Sequence, residues 1–161
     1  MATHSYLSIK GNTMGLISAG CSTQDSIGNK CQAGHTDQIL VLSVDHQMTS
    51  ISNTAHATHN PLIITKPIDK ASPLLAEALT TREVLTCELH LYRTTSTGGM
   101  EKYYSIRIDG ARIVALTFDV PHAVLLNDVD ATEQIALRYD NISWTHHSAS
   151  TQGYASWGDE Q

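Results

Sequence analysis

Apolar residues recur at every second position over short stretches of this chain, with turn residues between the stretches. That pattern predicts β-strands joined by loops. SYLSIKG ends at a glycine turn, and TMGLISAG supplies a second short strand. DQILVLSVDHQM places Leu40, Leu42 and Val44 on one face and Ile39 and Val41 on the other. A strand apolar on both faces is buried twice or is covered on one side by a neighbouring subunit, and Ile39 and Val41 are the candidates for that interface. PLIITKPI resumes as a strand. Leu85, Cys87, Leu89 and Leu91 then alternate with Thr86, Glu88, His90 and Tyr92. A Gly98-Gly99 turn leads to Tyr104, Ile106 and Ile108, Asp109-Gly110 predicts a tight hairpin, and Val114, Leu116, Phe118 and Val120 continue the apolar face.

In EQIALRYDNISWTHH (133–147) the alternation changes phase. Ile135, Leu137 and Tyr139 share one parity, and Ile142 and Trp144 the other. One extra residue at Asp140-Asn141, a β-bulge, returns all five to a common face and bends the strand. A curved or closed β architecture needs such a bend. The expected core includes Leu85, Leu89, Phe118, Leu137 and Trp144.

DKASPLLAEALTT is the one convincing helix. Ser72 can cap it, Pro73 suits its first position, and Leu74, Leu75, Ala78 and Leu79 form an apolar stripe. The segment 49–60, TSISNTAHATHN, has no periodicity and is expected to be a long surface loop of the kind that carries function. Residues 20–35 form a polar loop that need not pack, and 149–161 a loosely held tail. Neither an internal repeat nor a linker divides 1–161, so a single domain is expected.

A chain of 161 residues can remove roughly 70% of its unfolded surface from water without a disulfide or metal. Its formal charge of −6 and the lack of a dense Lys/Arg cluster argue against nucleic acid as a partner. MATHSYLSIKG has neither a basic n-region nor an apolar h-region, and no stretch approaches a membrane span, so neither signal-peptide export nor membrane insertion is expected. Cys21, Cys31 and Cys87 lack CxxC spacing; Cys87 fits a core thiol, while Cys21 and Cys31 bracket a loop and can pair only in an oxidising medium.

Nine histidines invite a metal reading, but neither His56 with His59 nor His146 with His147 has converging ligand spacing. NDVDATE lacks the glycine of a calcium loop. No nucleophile elbow or glycine-rich phosphate loop occurs, and Glu88 with His90 is what the polar side of any strand looks like. No catalytic, metal or cofactor residue is therefore expected.

HNPLIITKPIDKASPLLAEALTT, TCELHLYRT, EQIALRYDNISWTHH and GYASW, with YLSIKG and GHTDQILVLSVDHQ upstream, resemble the Hcp family, the haemolysin-coregulated proteins of bacterial type VI secretion systems. The resemblance implies a compact all-β barrel with one flanking helix, like phage tail-tube proteins. It implies six copies in a ring and stacked rings forming the inner tube of a contractile injection machine. It also implies small effectors sheltered in the lumen, spike and sheath proteins as partners, and assembly in the cytoplasm before secretion without a signal peptide. The loop 49–60 falls where one subunit reaches toward the next ring or neighbour, making Ile51, Ser52, Asn53, Thr54, His56 and His59 the candidate stacking residues. Two other classes stay open: a secreted toxin, for which a chain ending at Gln161 leaves no catalytic domain, and a monomeric β-barrel binding module, which predicts an aromatic-rich pocket where only 6% of residues are aromatic.

Overall fold

The computed structural model describes residues 4–50 and 57–157. In chain order these form β1 (Ser5–Gly11), β2 (Gly15–Leu16), the short helix α1 (Gln24–Ile27) with a 3-10 turn after it, β3 (Ile39–Val41), β4 (Ser43–Asp45), β5 (Met48–Thr49) and β6 (Thr58–His59). Then come β7 (Leu62–Pro67), α2 (Ser72–Thr81), β8 (Leu85–Thr94), β9 (Met100–Asp119), β10 (Thr132–Arg138), β11 (Asn141–His146) and β12 (Thr151–Ser156).

The sheet turns on β9. Its first half pairs with β8 and β11, its second half with β10, all antiparallel. On one side the order continues from β8 through β1 to β2, on the other from β10 through β7 to β4. Extra residues on β9 shift its register against β8 and β10, and each such bulge adds bend and twist. The segment 39–45 joins the two ends: β3 pairs with β1, β4 pairs with β7, and the Leu42 N–H between them donates to the Thr65 carbonyl at 2.8 Å. The fold is mainly β as expected, but among the described residues the strand order runs from β2 to β4 without closing into a continuous barrel.

The Gly98-Gly99 turn joins β8 to β9 as expected, with the Thr95 N–H donating to Gly99 O at 2.7 Å. Asp109-Gly110 makes no hairpin. Gly110 takes a left-handed φ of 62°, yet β9 continues through it and changes partners. The same left-handed glycine that closes a tight turn also seats a bulge, so the dipeptide alone does not separate the two. The phase slip at Asp140-Asn141 likewise does more than bend one strand. It ends β10 and starts β11 in the other half of the sheet, with Tyr139 and Ile142 both fully buried.

Leu85, Leu89 and Leu137 lie in the core with Leu7, Ile9, Ile64 and Ile135, and α2 packs Leu75 and Ala78 against it. Other expectations are corrected. Ile39 and Val41 are buried inside the protomer, not on a subunit interface, because β3 lies inward against β1, whereas Leu42 and Val44 beyond it are exposed. Phe118 is 62% exposed: it stands opposite Glu133 near the end of the ladder, where no described residue covers it. Trp144 is only partly buried, packed on the core's edge beside Gly153. Ser72 does not cap α2; its hydroxyl faces back to Glu133 and Asp69.

The loop 20–35 packs in part, with Cys21 buried and Tyr6 stacked on His35 at 3.8 Å. The three cysteines are free, and burial pushes the Cys21 thiol up to about 12. Residues 151–156 are no loose tail, since β12 pairs along the whole of β11 and the Trp157 N–H donates to Asp140 O at 2.8 Å. Leu137→Ala should cost about 2–5 kcal/mol in a urea titration, as expected for a buried leucine. Phe118→Ser should cost under ~1 kcal/mol; comparable losses in the two variants would contradict this division of inner and outer residues.

Candidate functional site

A polar cluster fixes α2 to the sheet. Lys66 on β7 and Glu133 on β10 are register partners and form an ion pair, and both side chains are buried. Lys66 Nζ also contacts Asp69 Oδ1 at 2.9 Å and donates to the Pro67 carbonyl at 3.0 Å. The Ser72 hydroxyl donates to Glu133 Oε1 at 2.8 Å and accepts from the Asp69 N–H at 3.0 Å. Two buried carboxylates share one ammonium, and Asp69 Oδ2 has no hydrogen-bond partner. Burial pushes the Asp69 carboxyl above the usual range, and Lys66 pulls it part of the way back. The cluster orients the turn into the helix, with its lysine and carboxylates tied to one another.

A second cluster holds the stem of the candidate loop. β5 and β6 pair Met48 with His59 and Thr49 with Thr58. Beside them the buried Tyr139 hydroxyl meets His46 Nε2 at 2.9 Å and His59 Nδ1 at 2.7 Å. One hydroxyl hydrogen serves only one of these contacts, so the other ring must donate its N–H. Trp157 closes the group edge-on to Tyr139, with centroids 4.8 Å apart, and Arg138 lies over the Trp157 ring. Of the candidate loop residues, His59 is thus a buried anchor, while Ile51, Ser52, Asn53, Thr54 and His56 lie outside the described residues. His46, Tyr139 and Trp157 escape the sequence reading because they come from three distant segments with no shared periodicity.

The arrangements that resemble catalytic sites are incomplete. Glu88 Oε2 lies 3.5 Å from His90 Nε2, but Glu88 also pairs with Arg107 at 3.0 Å, and His90 Nδ1 is buried without a partner. Ser105 Oγ meets His147 Nε2 at 2.5 Å on the surface, where no ion pair among the described residues orients the imidazole. Among the described residues no three His, Cys, Asp or Glu side chains converge on a metal position. No helix among them is long and apolar enough to cross a membrane.

The outer surface carries the more informative feature. Val114, Phe118, Val120, Val124, Leu125, Leu126 and Val129 are at least half exposed, a dense apolar series on β9 and the connection that follows it. A lone exposed aliphatic needs no explanation, but such a series makes a candidate contact surface. The unbroken Val124-Leu125-Leu126 run, lacking any strand or helix period, was its signal in the sequence.

Comparison with known proteins agrees with this picture. The family model described as "Type VI secretion system effector, Hcp" matches residues 6–146. The chain is 39% identical to the "Major exported protein" of Pseudomonas aeruginosa, over 98% of this chain and 96% of that protein. A crystal structure of an Hcp protein superposes with a TM-score of 0.91 at 32% identity, covering 97% of this chain and 98% of the other. The secreted protein Hcp3 from Pseudomonas aeruginosa superposes at 0.86 with 39% identity, covering 98% and 100%.

Two outcomes are expected here. Lys66→Met leaves Asp69 and Glu133 buried without their cation and should cost about 3–5 kcal/mol. Adding Asp69→Asn and Glu133→Gln to it removes the uncompensated charge and should recover most of the loss; a denaturant series on the single and the triple variant checks this. His46 is held below its ordinary 6.5, first by burial and then by His59. The unfolded chain therefore takes up this proton at higher pH than the folded one, so its contribution to stability is present above 6.5 and is lost as pH falls from there through the depressed folded value. His46→Gln should flatten the fall in denaturation midpoint on acidification below pH 6.5, and an unchanged slope would remove His46 from the account.

Proposed function

The chain belongs to the Hcp family of type VI secretion effectors, and from that membership we propose that it is a structural subunit of the secretion tube: six copies close into a ring, and rings stack. The observation that carries this is the exposed apolar series from Val114 to Val129, which a monomer would leave in water. Likeness to Hcp structures over nearly the whole chain supports the same reading. A head-to-tail interface whose rotation closes gives a ring and leaves two unlike faces for stacking.

In this role the protein works through its surfaces and is not an enzyme. It is assembled in the cytoplasm, then exported with the tube. Spike and sheath proteins are its further partners, and small effectors travel in the lumen; these roles rest on family membership alone. The loop 49–60 is assigned to ring stacking, with the Tyr139, His46 and His59 contacts holding its stem.

Native mass measurement at micromolar concentration should show a species of six chains, and a monomer at every concentration would refute the assembly. Replacing residues 51–57 with a Gly/Ser linker should leave the thermal midpoint nearly unchanged and the ring intact while abolishing stacks in electron microscopy. Normal stacks from that variant would remove the loop from the interface.

A further inference from the structure

The β9–β10 pair carries a recess at one end and a projection at the other. The recess is an open cleft of about 710 Å³ whose rim holds Arg82, Arg112 and Arg138 and whose wall includes Leu79, Ile113 and Val114. Arg112 and Arg138 are direct register partners, so two like charges share one face of the ladder, an unfavourable pairing without an anion, with Arg138 also lying over the Trp157 ring. Arg82 reaches the same place from the end of α2 in the left-handed region, at φ 54°. Among the described residues no ion pair reaches any of these three guanidiniums, and Asp140 is the one carboxylate on the cleft.

The projection lies past the last rung of the same ladder, Asp119 opposite Thr132. Seven residues of strand separate it from Arg112, roughly 23 Å. His122 shapes the turn: its Nδ1 accepts the N–H groups of Val124 and Leu125 at 3.2 and 3.1 Å, and its carbonyl accepts that of Leu126 at 2.8 Å. This leaves Val124 and Leu125 more than three-quarters exposed at the tip. Asp128 and Asp130 follow, and Lys30 ties Asp130 to the segment after α1.

We infer that the 124–130 turn of one copy enters the arginine-lined cleft of a second copy. Aliphatic side chains would meet Leu79, Ile113 and Val114, and the Asp128 carboxylate would lie between Arg112 and Arg138, relieving their repulsion. The two surfaces are unlike and sit at opposite ends of one strand pair, so the contact is head-to-tail. A head-to-tail contact leaves each copy one free recess and one free projection, and this one is assigned to the join between rings. This inference rests on the assembly reading above and names one of its interfaces.

The test is a charge exchange in the full chain. Arg112, Asp128 and Arg138 are exposed, so changing them should leave folding intact. Arg112→Glu and Asp128→Arg, each alone, should keep the ring and raise the protein concentration needed for stacking about tenfold, the loss of roughly 1.4 kcal/mol. Combining them should restore stacking, followed by sedimentation velocity and electron microscopy. Parent-like stacking in both single variants would overturn the contact while leaving the ring reading intact. So would loss in both without recovery in the pair. Loss on Asp159→Asn with Glu160→Gln but not on Asp128→Arg would overturn it in favour of the chain's own terminal acids. A parent that stays monomeric would sink the assembly reading and this interface together.

Discussion

Two strands change partners at the same level of this molecule, and the contact between them sets most of what surrounds it. β9 bends at Gly110, and the chain between β10 and β11 turns at Asp140, whose N–H donates to the Asp109 carbonyl at 3.0 Å. A side chain at position 110 would place its Cβ 2.9 Å from Asp140 Cβ, so the residue needs both a left-handed backbone and no side chain. With the two turns interlocked, Tyr139 and Ile142 point into one core although they flank a phase slip. One core then serves both halves of the sheet, and the curvature follows from the crossing.

The candidate surfaces are consequences of that crossing. Tyr139, fixed beside Asp140, sends its hydroxyl to His46 and His59 and so holds the stem of the 49–60 loop. Arg112 follows Gly110, and Arg138 precedes Asp140, by two residues, which brings them to the mouth of the same cleft. At the other end of the ladder, Lys66 and Glu133 bind β7, β10 and α2 into one unit through buried charge. Buried ion pairs cost desolvation and add little net stability over apolar packing, but they penalise every arrangement that separates them. Here the penalised arrangement is a shifted register between β7 and β10 or a helix swung off the sheet.

The distribution of apolar surface separates the folded core from the candidate contact surface. Alternating aliphatics on β1, β7, β8 and β10 are consumed inside the protomer, while on β9 Leu116 still packs partly on the core but Val114 and Phe118 are left outside with the 120–131 connection. Strand periodicity states only which side chains share a face, not whether that face is covered. Val114 and Phe118 therefore match core residues in pattern and differ from them in burial.

By itself the sequence determined the β class, the helix after Pro73, the Gly98-Gly99 turn, and a core through Leu85, Leu89 and Leu137, because periodicity and turn chemistry are local and act before any long-range contact forms. Family-specific stretches such as LRYDNISWTH identified the Hcp resemblance. Tertiary structure decided that Ile39 and Val41 face the core, that Phe118 does not, and that Asp109-Gly110 is a crossing and not a hairpin, since each depends on which distant strand lies alongside. It also decided the candidate groupings. Tyr139 meets histidines 93 and 80 positions away in the chain, and three arginines from α2, β9 and β10 border one cleft. A spacing rule reaches about two helical turns or one hairpin, so only the folded chain could bring these residues together.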